Sequence, residues 1–322
     1  MKKMNAWVLE APQRLRLQTV DVPSCKDNEL LIRVCAMCIC NGSDPSLYLG
    51  NEDYPMPYVF GHEAVGVIEQ AGADVTGFHT GQRVIWWCTT GAFGRYVSVQ
   101  PDKVSMFVVP EHIPDSSAAM LELVIAASRA LMPFTENAKG KSLRILGLGP
   151  SGLVSVMYAK ALGFSYVEGW DLCESRRSLA IQLGADAVYD PSVDDFRVDA
   201  LPKADVSLDM AADDPIGNSL TLLCRCAQTG STIVSYGHPI HGRHFSPYVF
   251  QKASLTLRSP ENDHRIIRQK GRQVMDWVAD GTIQLTPLIS DVRPFARLGE
   301  SFAEMLKHPW DHLKLVFHFE EE

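Results

Sequence analysis

No stretch of this 322-residue chain stays apolar for the roughly 20 residues that a membrane-spanning helix needs. The first residues, MKKMNAWVLEAPQRLRL, carry two lysines but no apolar segment behind them, so they do not read as a secretory leader. Basic residues are in deficit. The 30 Lys and Arg against 38 Asp and Glu give a formal charge of −8, which argues against a nucleic-acid-binding surface. One bound nucleotide is still allowed, because a helix N-terminus holds phosphate without net positive charge. Internal repeats and low-complexity segments are lacking, so a solenoid is not indicated. With neither leader nor membrane span, the expected location is the cytoplasm. There the eight cysteines are free thiols or metal ligands rather than disulfides. Cys25, Cys88 and Cys173 are isolated, and Cys224 and Cys226 read as packing residues of a helix, LTLLCRCAQ.

What is present describes a globular α/β protein. Hydrophobic residues make up 46% and charged residues 21%, and the length suits two domains. Residues 1–124 read as short strands broken by Gly, Pro and Asp, among them ELLIRVCAM, EAVGVIEQAG and QRVIWW. That is the texture of an antiparallel, barrel-like β domain. Around Ser116 the texture changes to Ala and Leu at helical spacing in DSSAAMLELVIAASRALMPF. From Lys141 strands and helices alternate: SLRILGLG, SGLVSVMYAKALG, YVEGWDL, ESRRSLAIQLG, ADVSLDMA, LTLLCRCA, STIVSYG. This implies a parallel, doubly wound sheet within residues 125–259. Beyond Ser259 a helix, RQVMDWVADG, and a strand, LKLVFHF, lead residues 260–322 back to the first domain.

The doubly wound half opens with Gly147-Leu148-Gly149-Pro150-Ser151-Gly152, a G-x-G-x-x-G run between the strand SLRIL and an Ala/Leu-rich helix. Gly147 permits the tight turn, Gly149 lets backbone approach a pyrophosphate, and Gly152 lets helix and strand pack closely. The helix N-terminus offers free N–H groups and partial positive charge to phosphate. Such glycine turns are common, so the context matters: a strand before, a helix after, and then a second strand ending in an acid, Asp171. A carboxylate there accepts hydrogen bonds from the adenosine ribose and repels a 2′-phosphate, which favours NAD over NADP. Arg176 and Arg177 follow closely and could hold that phosphate. The bland alternative makes Asp171 the cap of a helix beginning near Glu174.

In the first half, Gly61-His62-Glu63 opens the run GHEAVGVIEQAGADV, and Cys38-Ile39-Cys40-Asn41-Gly42-Ser43-Asp44 lies upstream. Zinc takes Cys, His and carboxylate ligands, and a catalytic site leaves one position open. Cys40 and His62 supply two ligands, and Glu63 or Glu122 the third. Cysteine on an apolar strand is often only a small core residue, and a lone His-Glu pair is more often on the surface. Glu122, however, is a single acid in a long apolar run and needs a cation or metal.

In these features the sequence resembles the medium-chain dehydrogenase/reductase superfamily, in its zinc-containing alcohol and polyol dehydrogenase branch. The pattern GHE-x2-G-x5-G-x2-V is met by Gly61, His62, Glu63, Gly66, Gly72 and Val75. Gly81-Gln82-Arg83-Val84, the nucleotide fingerprint, Asp171-Leu172 with Arg176, Leu288-Ile289 and Lys314-Leu315-Val316 resemble further family elements. The resemblance implies a GroES-like β-barrel domain plus a Rossmann domain with the active site in a cleft between them. It implies ligands at Cys40, His62 and Glu122, with Glu63 a direct or exchangeable ligand. Ser43 would relay the alcohol proton, and Asp44 would orient the ligating histidine. Family members are commonly dimers or tetramers, so a homodimer or homotetramer is expected.

Three departures qualify the carry-over. The family's C-G-[ST]-D is here C-N-G-S-D, which we read as Cys40 followed by a one-residue insertion, asparagine being a poor zinc ligand. The C-x2-C-x2-C-x7-C lobe that holds a structural zinc is missing after Trp86-Trp87-Cys88, so one catalytic zinc and no structural zinc are expected. Leu123 stands where a proline often follows the carboxylate ligand. The expected reaction is hydride transfer between a secondary alcohol or polyol, or the matching ketone, and NAD. Tyr48, Trp86, Trp87 and Cys88 follow elements expected near the pocket, where aromatic walls suit an apolar face, although neighbours on a strand point opposite ways and one tryptophan can be core. Two rivals remain: a zinc-free, NADPH-dependent enone or quinone reductase on the same fold, and a non-catalytic NAD-binding protein.

Overall fold

The computed structural model describes residues 2–193, 196–212, 214–237 and 244–320. The chain divides into two compact units, Met1–Ile125 with His264–Glu322, and Ala126–Asp263.

The first unit contains β1 (Lys3–Ala11), β2 (Arg14–Asp21), β3 (Leu30–Cys38), α1 (Ser43–Leu49), β4 (Tyr58–Val59), β5 (Glu63–Ala71), β6 (Arg83–Trp87), β7 (Tyr96–Val99), β8 (Ser105–Val108) and α2 (Asp115–Ala118). The helix α3 (Leu121–Ser128) spans the division between the units. The second unit contains β9 (Ser142–Leu146), α4 (Pro150–Leu162), β10 (Tyr166–Trp170), α5 (Glu174–Gln182), β11 (Ala187–Tyr189), β12 (Ala204–Asp209), α6 (Ser219–Cys226), β13 (Ala227–Ser235), α7 (Pro247–Lys252) and β14 (Thr256–Arg258). The chain then rejoins the first unit with α8 (His264–Ala279), β15 (Ile289–Pro294), α9 (Leu298–Lys307) and β16 (Lys314–His318). Among the described residues, no helix is long and apolar enough to cross a membrane.

In the first unit the sheet order β15-β16-β3-β5-β6-β8, with β7 also on β3, is antiparallel except at β15–β16. A smaller sheet, β2-β1-β4, lies beside it, joined through the Ala6–Gly94 bridge. Strand β3 shows why it is a strand: Leu30, Ile32 and Val34 are buried, and Leu31, Arg33 and Cys35 between them are only half-buried. Period-two burial of this kind is what a sheet with one core face demands. The buried face meets Trp7, Leu9, Phe60, Trp86, Phe93, Phe302 and Phe317, a core with several aromatic rings. Burying each such ring contributes about 1.5–3 kcal/mol. Strand β16 lies directly against β3, pairing Val316 with Cys38, so the C-terminal strand sits beside the end of β3.

The second unit carries a parallel sheet, β11-β10-β9-β12-β13-β14. Its central strands β9, β10 and β12 are mostly buried, as expected of a sheet covered on both faces. Arg144 on β9, 1% exposed, pairs with Glu168 of β10 at 2.6 Å and lies over the Trp170 ring at 5.0 Å. From β9 the chain runs to β10 and β11 on one side, then crosses to β12 on the other. The reversal lies between β9 and β12, where a doubly wound sheet opens its ligand crevice.

The fold class expected from the sequence, a GroES-like β domain with a Rossmann domain, is the one observed. One local expectation differs. The helical texture beginning at Ser116 is not a single helix. It breaks after α2, resumes as α3, and gives way to a short 3-10 turn at Met132–Phe134 that contains Pro133. A proline lacks the amide that would continue the helical ladder.

Candidate metal and nucleotide sites

Cysteine spacing at the end of β3 divides Cys38 and Cys40 by role. Cys38 faces the core and is fully covered, and burial pushes its thiol far above the ordinary range, so it stays neutral. Cys40 lies two residues further, past the strand end, where the chain turns into α1. Its backbone N–H donates to Asp44 Oδ2 at 2.8 Å, which fixes that turn. Ser43, the first residue of α1, donates its hydroxyl to Cys40 Sγ at 3.1 Å and lies 3.2 Å from His62 Nε2. His62 Nδ1 is 3.0 Å from Asp44 Oδ1, and Asp44 is completely buried. That carboxylate holds the ring so that Nε2 faces Ser43 and Cys40.

Glu63, the next residue, begins β5 and is completely buried. Its Oε2 meets the Lys314 ammonium at 2.5 Å, and its Oε1 has no hydrogen-bond partner. Lys314, itself 1% exposed, also donates to the Ile39 carbonyl at 2.8 Å. Burial opposes its charge, but the Glu63 carboxylate outweighs that and holds the ammonium in its charged form. Burial likewise opposes a charge on His62, and the Asp44 carboxylate together with Cys40 raises its pKa well above the usual histidine value. A metal would therefore displace a proton from this ring.

One donor atom each from Cys40, His62 and Glu63 lies within 4.8 Å of the others. Zinc–ligand distances of about 2.0–2.3 Å place tetrahedral ligands about 3.6 Å apart, so a small inward movement closes this set on an ion. The buried, unpartnered Glu63 Oε1 and the thiolate–imidazole–carboxylate chemistry both fit zinc. Glu122, second residue of α3 and 4% exposed, is not one of these three, although its charge reaches the Cys38 thiol. Asn41, the inserted residue, turns elsewhere: its amide meets the His312 carbonyl at 3.5 Å. Trp86 is core, and Trp87 instead lies 5.2 Å from the His264 ring. Sequence reasoning missed Lys314 as a member of this cluster. The signal was present, since a single charge heads the apolar run KLVFHF, as Glu122 does in its own run.

The nucleotide elements lie in the second unit. Gly147 has φ +90°, and a Cβ there would press on Ala211 at 2.8 Å; a Cβ on Gly152 would come 1.9 Å from the Gly147 carbonyl. Around Gly149 a Cβ would meet nothing within 4 Å, so open space lies over the start of α4. Gly149 is the N-cap and Pro150 the first helical residue, followed by Ser151; proline there removes only an amide that has no helical partner. An opening above the unpaired amides of a helix start suits a phosphate group. Asp171 is 7% exposed and already bonded: Oδ2 accepts from Leu148 N at 2.7 Å and Oδ1 from Cys173 N at 2.8 Å. It thus ties the glycine turn to the end of β10, and the α5 cap position belongs to Cys173. Each carboxylate oxygen retains a lone pair for a ribose hydroxyl. Arg177 is committed to Asp190 and to the Asp171 and Leu172 carbonyls, and Arg176 is half-buried in the first turn of α5.

Comparison with known proteins agrees with both halves. Residues 26–133 match the alcohol dehydrogenase GroES-like domain family, and residues 150–279 match the zinc-binding dehydrogenase family. Sorbitol dehydrogenase of Bacillus subtilis (strain 168) is 29% identical over 57% of this chain, and the match spans 60% of that protein's length. L-galactonate-5-dehydrogenase of Escherichia coli (strain K12) is 25% identical over 94% of this chain and 95% of its own. An alcohol dehydrogenase structure from Escherichia coli CFT073, complexed with NADH, superposes with a TM-score of 0.84 at 22% identity. It covers 99% of this chain and 100% of that one, a likeness of fold.

Proposed function

Since the chain belongs to the zinc-type medium-chain alcohol and polyol dehydrogenases, we propose that it transfers a hydride between a secondary alcohol or polyol, or the matching ketone, and NAD. The observation that carries this reading is the convergence of Cys40, His62 and Glu63 within 4.8 Å, beside the Ser43 hydroxyl. Cys40 and His62 would hold one zinc ion, with Glu63 and Glu122 as the carboxylates of the site. No second cluster of this kind is found among the described residues. When bound, zinc supplies a Lewis acid that lowers the pKa of a substrate hydroxyl, and NAD supplies the hydride acceptor.

The remaining work falls to side chains. Asp44 fixes the tautomer and orientation of His62. Ser43 Oγ both donates and accepts, so it can take the substrate hydroxyl proton while passing on its own. Gly149 leaves room for pyrophosphate at the start of α4, and Asp171, with a lone pair left on each oxygen, would receive the ribose hydroxyls. Like charges disfavour a 2′-phosphate beside that carboxylate, which is why NAD is preferred in this reading. All eight cysteines are unpaired, in keeping with a reducing, cytoplasmic setting. The enzyme would work there as a homodimer or homotetramer.

The test is metal analysis of the purified protein, joined to a panel of polyols and secondary alcohols followed by reduced-cofactor absorbance. Stoichiometric zinc, NAD-dependent turnover, and loss of both zinc and turnover in Cys40→Ser are expected. Protein without zinc that reduces enones with NADPH refutes the proposal in favour of the zinc-free reductase. Zinc-loaded protein that binds NAD yet turns over nothing in the panel refutes it in favour of a binding protein.

A further inference from the structure

The Tyr58 hydroxyl is buried and has no hydrogen-bond partner among the described residues. We propose that Tyr58 is a specificity-determining residue, whose hydroxyl holds a second hydroxyl of the substrate beside the one that is oxidised, so that the chain favours vicinal diols over simple alcohols.

The placement of Tyr58 follows from strand pairing. β4 sets it opposite Leu9, so its side chain falls on the same face as Leu9 and packs against the core of the first unit. The Tyr54 ring lies against it, with centroids 4.4 Å apart, and the Tyr54 hydroxyl is 2.9 Å from Thr90 Oγ1. Next to Thr90, the amides of Gly91 and Ala92 donate to the Gly61 carbonyl at 2.9 and 3.0 Å. Gly61 immediately precedes His62, so this chain of contacts ties both tyrosines to the residue beside a proposed metal ligand. The Tyr58 oxygen is within electrostatic reach of that site. Burial pushes its pKa above the ordinary phenol range, the Asp44 carboxylate adds to the shift, and His62 opposes it. The group is therefore a neutral donor near neutral pH.

A buried hydroxyl without a partner destabilises the fold, and such a group calls for something it meets only when the site is filled. A simple alcohol offers it nothing once its one hydroxyl is engaged by the metal and Ser43. A diol has a second hydroxyl to offer. The neighbouring tyrosines are already engaged: Tyr48 donates to the Gln13 carbonyl at 2.9 Å, and Tyr54 pairs with Thr90. Of these three phenols, Tyr58 alone keeps its hydroxyl for a ligand.

This inference rests on the dehydrogenase reading above, and its test separates the two. The probes are 2-propanol and 1,2-propanediol, which differ by one neighbouring hydroxyl, as Tyr58→Phe differs from the native chain. A cycle over both changes isolates the interaction between the two groups. Zinc-loaded native and Tyr58→Phe chains are compared in kcat/KM for each alcohol and, by ligand-observed NMR, in affinity for each. The native chain should prefer the diol. Tyr58→Phe should weaken both quantities for the diol about 3- to 10-fold, the worth of one neutral hydrogen bond. It should leave 2-propanol within about twofold, below that worth. Its melting temperature should not fall, because the lost hydroxyl has no partner in the empty fold.

Equal loss on both alcohols, no loss on the diol, no binding of the diol, or a native preference for 2-propanol overturns the inference. So does a lower melting temperature, since the hydroxyl would then be bonded within the fold. Absence of turnover by the native chain counts against the dehydrogenase reading instead, and the NMR affinities still decide the role of Tyr58.

Discussion

Replacing Asp44 with Asn tests the site from behind its proposed ligands. Asp44 is completely buried, and its two oxygens take the His62 Nδ1 contact at 3.0 Å and the Cys40 backbone N–H at 2.8 Å. Asparagine keeps the shape, so the packing of α1 should survive. Its single oxygen can serve only one of the two partners, and its NH2 group meets the other. Hydrogen bonds to a charged acceptor are worth about 1.5–3 kcal/mol and neutral ones about 0.5–1.5 kcal/mol, so the exchange costs on the order of 1–3 kcal/mol. Part of that loss falls on the imidazole as a ligand. Zinc affinity should therefore drop about 10- to 100-fold, the usual effect of losing such an outer partner. NADH affinity should be unchanged, because the glycine fingerprint belongs to the other unit. Chelator competition gives the first quantity and quenching of protein fluorescence by NADH the second. Native zinc affinity in a folded Asp44→Asn chain would refute the claim that this carboxylate orients a metal-binding histidine.

Three further perturbations follow from the same geometry. Asp171→Ala should weaken NADH binding more than NADPH binding in parallel titrations, and an unchanged preference would remove Asp171 from the ribose site. Gly152→Ala places a Cβ 1.9 Å from the Gly147 carbonyl, so the turn must shift; a lower melting temperature, from an overpacking cost of at least about 1–3 kcal/mol, and impaired NADH binding are expected. Glu29 is held at a pKa of about 2, chiefly by Gln100, against burial and with help from Ser98 and Lys26. A carboxylate with a depressed folded-state pKa stabilises the fold above its unfolded value and loses that contribution as pH falls towards about 2. Acid melts of Glu29→Gln should accordingly be flatter than native below the ordinary glutamate range, and coincident curves would contradict the assignment.

The sequence alone determined the features set by local rules. The run Gly147–Gly152 between an apolar strand and an Ala-rich helix announces a nucleotide-type turn because backbone sterics there depend on neighbours close in the chain. The alternation of strand and helix from Lys141 fixes a doubly wound sheet for the same reason. His62-Glu63 and Cys40 were legible as metal chemistry from residue type and spacing, but their convergence was not. It arises because β3 and β5 pair in register, setting Cys38 opposite Glu63, and no sequence period states that register. Lys314 lies 251 residues beyond Glu63 in number and next to it in space only because β16 packs on β3. The double duty of Asp171, bonded to Leu148 and Cys173 while keeping a lone pair on each oxygen, likewise needed the folded turn. Local composition chose the elements and the chemistry on offer, and long-range strand pairing, which no local energy specifies, decided which charges meet.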